Sequence, residues 1–149
     1  MFTDKVKKLI EESILCWLAT ADEKGMPSVS PKEIFCAYKN QEIIIANIAS
    51  PNSVKNIRHN PNVCVSFVHV FKQKGFKIYG IATYLNKADK EYQERCALLQ
   101  EMAGDKYLIQ GVIKILVSSV KPILAPSYML FPETTEKEQI ENAKKTYGI

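Results

Sequence analysis

The sequence predicts one mainly β domain with an antiparallel barrel or sandwich core and flanking helices. Two observations carry this expectation. Five apolar runs rich in Val, Ile, Phe and Tyr follow one another between residues 14 and 85, separated by turn residues. At 149 residues and 46% apolar content, the chain suits a single core that buries roughly 70% of its unfolded surface.

Residues 4–12 place Val6, Leu9 and Ile10 on one side at helical spacing, so a short amphipathic helix opens the chain. ILCWLATA at residues 14–21 reads as a buried strand. DEKGMP then supplies turn chemistry, and residues 27–38 resume as one extended hairpin partner. After a turn at Lys39 and Asn40, residues 41–48 form a third strand dense in β-branched side chains. Residues 63–70 (VCVSFVHV) are a fourth strand and residues 76–85 (FKIYGIATYL) a fifth, with Gly80 marking a bulge or a close approach. Tyr92, Cys96, Leu99 and Met102 make a helical stripe within residues 87–103, which Gly104 can end. A last strand covers residues 112–124 and is broken by Pro122. From about residue 134 the tail is a polar helix, with Ile140 and Ala143 as its apolar side.

Charge and cysteine usage narrow the function classes. Lys and Arg number 20 against 16 for Asp and Glu, and the basic residues are dispersed among acidic ones, which argues against nucleic acid as a partner. The charged opening residues lack the apolar core of a signal peptide, and no window approaches ~18 apolar residues, so a soluble cytoplasmic protein without membrane contact is expected. Cys16, Cys36, Cys64 and Cys96 form no C-x-x-C pair, and only His59 and His69 could assist them, so no metal site is assigned. Neither histidine has a visible nucleophile or carboxylate partner, and no catalytic residue is assigned.

The stretch between the third and fourth strands carries the chemistry. Ser50-Pro51 is a strong helix start, since Ser can accept from an early backbone N–H and Pro loses no bond it needed. The helix must stop before Pro61, because Asn60 is pushed out of the α region. Its free N–H groups lie just past a core strand, near Ser50, Asn52, Ser53, Lys55 and Asn56, an arrangement that can hold a phosphate without a glycine-rich loop. Taken alone, the same residues also read as an ordinary helix start with solvated Lys55 and Arg58.

Strand, hairpin, strand, strand, then S-P-N-S-V-K-N-I-R-x-N-P (residues 50–61) and V-x-V-S-F (residues 63–67) resembles the flavin-binding split-barrel family related to pyridoxamine 5'-phosphate oxidase. The resemblance covers residues 14–85 and extends more loosely to about residue 125. It implies a six-stranded antiparallel split barrel that binds FMN in a cleft at a homodimer interface. Ser30, Pro31, Lys32 and Glu33 match the strand that offers backbone and a basic side chain to the ribityl phosphate, and Lys32 would be that charge. Ala46, Asn47 and Ile48 match the strand along the edge of the isoalloxazine ring. Asn52, Ser53, Lys55 and Asn56 match the segment around the phosphate.

The chain departs from the oxidases proper at its C-terminal end. They recognise a substrate phosphate there with Arg and His, whereas here no Arg follows Arg95 and no His follows His69, which argues against pyridoxamine oxidation. Gly75 also falls near a position where the oxidases contact the ring through a polar side chain. The sequence is more similar to the smaller general-stress and nitroimidazole-resistance members. The resemblance therefore implies an FMN-dependent oxidoreductase with a small redox substrate and a nicotinamide donor. The alternative is a non-enzymatic module for flavin, haem or deazaflavin binding, sensing or electron transfer.

Overall fold

The computed structural model describes the whole chain, Met1–Ile149. Its elements are α1 (Asp4–Glu12), β1 (Cys16–Ala21), β2 (Pro27–Lys32), β3 (Phe35–Tyr38), β4 (Glu42–Asn47), α2 (Pro51–His59), β5 (Asn62–His69) and β6 (Lys74–Leu85), followed by α3 (Tyr92–Ala103), β7 (Gly111–Leu124), α4 (Pro126–Leu130) and α5 (Glu136–Tyr147). All seven strands form one sheet in the order β2-β1-β5-β6-β7-β4-β3. Every pairing in it is antiparallel.

That order explains the shape. β2 and β3 lie at opposite edges of the sheet, yet only Glu33 and Ile34 join them. So short a link spans only about 10 Å, so the sheet has to curl until its edges nearly meet. Residues 27–38 are therefore two strands and not the single hairpin partner expected, and the strand count is seven where six were expected. The break follows from pairing: β2 bonds only to β1, whereas Ile34 already accepts from the Ala46 amide on β4 at 2.9 Å.

β4 is buried along its whole length because it has a core on each face. Ile43 and Ile45 face the barrel interior with Phe35, Phe67 and Ile113, and α1 contributes Val6, Leu9 and Ile10 to the same cluster. Ile44 and Ala46 face outward, under Tyr92 and Leu99 of α3. The expected α3 stripe holds at Tyr92 and Leu99, but Met102 is half exposed. Arg95 is buried on that helix face instead, gripping Glu42 through Nε at 3.0 Å and Nη2 at 2.8 Å.

Gly80 is the expected bulge. The β6–β7 register shifts beside it, and a Cβ there would sit 2.4 Å from the Leu116 carbonyl oxygen. Pro122 does not break β7, contrary to expectation, and pairs with Phe76. β4 stops pairing at Leu116, so residue 122 has a neighbouring strand on one side only and its missing N–H costs no ladder bond to β4. α4 has no counterpart in the sequence reading. α5 starts in a capping box between Thr135 and Glu138 and buries Gln139 and Ala143, while Ile140 is half-buried. No helix is long and apolar enough to cross a membrane.

Candidate functional site

The site is built where α2 crosses the β1–β2 end of the sheet. On β2, Ser28, Ser30 and Lys32 alternate onto the face where β1 presents Thr20, Leu18 and Cys16, their cross-strand partners. α2 lies over this face and is tied to it by polar bonds at helical spacing. Ser53 Oγ is 3.2 Å from Ser30 Oγ, and Asn56 Nδ2 donates to Thr20 Oγ1 at 3.0 Å. Lys32 Nζ donates to the Ser50 hydroxyl. Positions 50, 53 and 56 thus form the helix face toward the strands.

Ser50 was expected to cap the helix with its side chain, and it does not. Its hydroxyl is engaged by Lys32 instead, while its amide donates to Asn47 Oδ1 at 3.0 Å. The first-turn N–H groups of α2 are left without a side-chain acceptor. Beside them stands Lys32, 7% exposed, with no carboxylate among its partners. Burial pulls its ammonium below the ordinary lysine value, and the charge of a Cys16 thiolate would oppose that only in part. Cys16 itself is pushed up to about 12 by burial, so it stays a neutral thiol at physiological pH. A buried cation without a carboxylate partner thus stands beside a helix start without a side-chain cap, which are features of an anion site, and Glu33 is the one carboxylate that lines the notch.

The residues singled out by sequence fall into three groups. Pro31, Lys32, Glu33, Ala46 and Ile48 line one cavity of about 210 Å³, together with Ser50 and Tyr107. Ser30, Ser53 and Asn56 are occupied in holding α2 to the strands. Lys55 and Asn47 line a different cavity on the other flank of α2, and Asn52 is exposed with its side chain unengaged by either. Asn47 is buried, donating to the Tyr84 hydroxyl at 2.9 Å. Sequence reasoning missed Tyr107, which the loop before β7 swings against the end of β4. No local signal marks it. The Ser50 hydroxyl, which the sequence placed among the phosphate-holding groups, lines this cavity and accepts from Lys32.

A family model described as pyridoxamine 5'-phosphate oxidase matches residues 2–124. The chain belongs to that family. Its curled seven-stranded sheet with flanking helices is the split barrel of the pyridoxamine 5'-phosphate oxidase fold. Solved structures agree on the fold. HupZ from Group A Streptococcus is 22% identical with a TM-score of 0.69, covering 80% of this chain and 92% of its own. An FMN-binding protein from Syntrophomonas wolfei is 14% identical at a TM-score of 0.69, covering 82% and 86%. A 5-nitroimidazole antibiotic resistance protein from Bacteroides thetaiotaomicron is 14% identical at 0.63, covering 81% and 82%. No curated protein matches the sequence.

Proposed function

We propose that this member of the pyridoxamine 5'-phosphate oxidase family binds FMN and acts as an oxidoreductase on a small acceptor. The observation that carries the reading is Lys32: a nine-tenths buried ammonium, held by a neutral hydroxyl, beside an uncapped helix start. An FMN phosphate there supplies the missing negative charge. Lys32 and the Ser50 hydroxyl, which line the notch, would hold it, and Ala46 and Ile48 at the end of β4 would lie along the ring. The name of the Syntrophomonas relative as FMN-binding points the same way.

A homodimer is part of the proposal. The notch encloses only about 210 Å³, short of the roughly 300 Å³ at which small-molecule pockets begin. A second copy is therefore needed to complete its walls. The outer sheet face offers a surface for one: Trp17, Tyr79, Ile81 and Leu116 are 46%, 37%, 45% and 46% exposed, and Ile81 and Leu116 are cross-strand neighbours. Such an apolar face suits an isologous interface.

When bound, FMN supplies the redox chemistry, taking reducing equivalents from a nicotinamide donor and passing them to a small quinone or nitro acceptor. The chain's own residues bind and orient the cofactor and keep water from one side of it. No acid, base or nucleophile is assigned to them. The test is direct: the protein is purified from a flavin-replete host, and its absorption spectrum and the mass of the released cofactor are measured. FMN near one per chain, reduced under anaerobic conditions by NADH or NADPH, supports the proposal. A chain that takes up no flavin overturns it. Reduction by low-potential donors but by neither nicotinamide would keep the cofactor and replace the enzyme with an electron carrier.

A further inference from the structure

α2 has a second polar face, turned away from Lys32. Lys55, Arg58 and His59 lie on it at i, i+3 and i+4 and line a cavity of about 580 Å³. Its opposite wall is Asn47 and Tyr84, from the ends of β4 and β6, and Gln110, just before β7. No carboxylate lines it. Neither Lys55 nor Arg58 takes part in any of the molecule's ion pairs.

The wall is built, not incidental. Tyr84 is held by the Asn47 amide at 2.9 Å, and Asn47 is 6% exposed. Arg58 stacks over the Tyr84 ring, its Cζ 5.4 Å from the centroid, which aims a planar guanidinium along the cavity. A Cβ on Gly111 would meet the Tyr84 hydroxyl at 2.1 Å, so a glycine there is what lets the ring stand in place. Cations three and four residues apart on a helix have Cβ atoms about 5–6 Å from one another. That spacing suits two neighbouring phosphates better than a lone one, and the guanidinium can engage a phosphate through two parallel bonds.

We propose that this cavity binds the diphosphate group of a small molecule, at a site separate from the flavin notch. It meets the notch only at Ser50. A ligand with its diphosphate here would reach toward the notch from the far side of α2. The proposal does not depend on FMN binding.

Pyrophosphate is titrated into the full-length, cofactor-free protein by calorimetry, with inorganic phosphate and acetate in parallel. Saturable binding is expected, tighter for pyrophosphate than for phosphate and absent for acetate. Arg58→Gln and Lys55→Gln should each raise the pyrophosphate Kd at least about 10-fold, the effect of losing one charge-assisted bond. Lys87→Gln, in the exposed β6–α3 turn, should leave it unchanged. Lys55 is exposed, so its variant decides the matter even if Arg58→Gln fails to fold. Three results overturn the proposal: no saturable heat with pyrophosphate; an equal loss in Lys87→Gln, which makes the effect one of net charge; or a loss in Lys32→Gln without one in Lys55→Gln or Arg58→Gln, which moves the anion to the notch.

Discussion

Replacing Lys32 with Met keeps an unbranched side chain one atom shorter and removes its charge, so it separates what the ammonium does for the ligand from what it does to the fold. Toward FMN the variant loses one charge-assisted hydrogen bond to phosphate, about 1.5–3 kcal/mol. That is about a 10- to 150-fold rise in Kd. Riboflavin has no phosphate and should bind the variant within about twofold of the parent. Toward the cofactor-free fold the sign reverses. A thioether in place of a buried cation with a single neutral partner removes an uncompensated desolvation cost, and the half-buried Ser50 hydroxyl can turn to water. The urea midpoint should therefore stay level or rise at neutral pH, with the m-value unchanged. The pH dependence follows from the same burial. Lys32 in the folded chain sits below its ordinary 10.5, so between that lowered value and 10.5 the unfolded chain binds more protons. Parent stability from this group accordingly increases with pH across the window, and the advantage of Met over Lys should shrink there. Flavin fluorescence titrations and urea unfolding at neutral and alkaline pH measure all of this. Equal losses of FMN and riboflavin affinity, or a lower midpoint for the cofactor-free variant, would refute the reasoning.

Three further outcomes are expected. Arg95→Met strands the buried Glu42 carboxylate and should cost about 3–5 kcal/mol, most of it recovered when Glu42→Leu is added, as read from urea midpoints. Gly75→Ala places a Cβ 1.8 Å from the Phe67 carbonyl oxygen. Backbone cannot step aside as a side chain can, so a loss of about 3 kcal/mol is expected, with Tm lowered by roughly 6–12 °C by calorimetry. Ile81→Lys combined with Leu116→Lys puts like charges directly opposite each other on the outer sheet face. Light scattering should then give a monomer with FMN affinity largely lost and the circular dichroism intact, and a monomer that still binds FMN tightly would remove the dimer from the proposal.

Much of the architecture was legible because its causes are local. Val6, Leu9 and Ile10 declare α1 by spacing, and the Ser50-Pro51 and Asn60-Pro61 pairs bracket α2 almost to the residue. The bulge at Gly80 was legible as well, since a missing side chain inside a strand has few other uses. What failed were readings that depended on neighbours. Residues 27–38 carry no internal signal for their break, which arises because β2 and β3 have partners at opposite ends of the sheet. Arg95 lay outside the apolar stripe assigned to its helix. Only its approach to Glu42, 53 positions away, makes burial tolerable.

The candidate site divides in the same way. By itself the sequence determined that polar and basic residues would cluster on a short helix behind a core strand, because capping and helix-breaking act within a few residues. It also carried the family pattern through residues 50–67. The tertiary structure decided which side of that helix meets the strands. Once α2 lies across β1 and β2, the face at 50, 53 and 56 is committed to Lys32, Ser30 and Thr20, and the face at 55, 58 and 59 is left to line a second cavity. A single cluster in the sequence is thereby divided between two cavities. The physical reason is that a helix's rotation about its axis is set by what it packs against, and the strands that α2 packs against are ordered by pairings far along the chain.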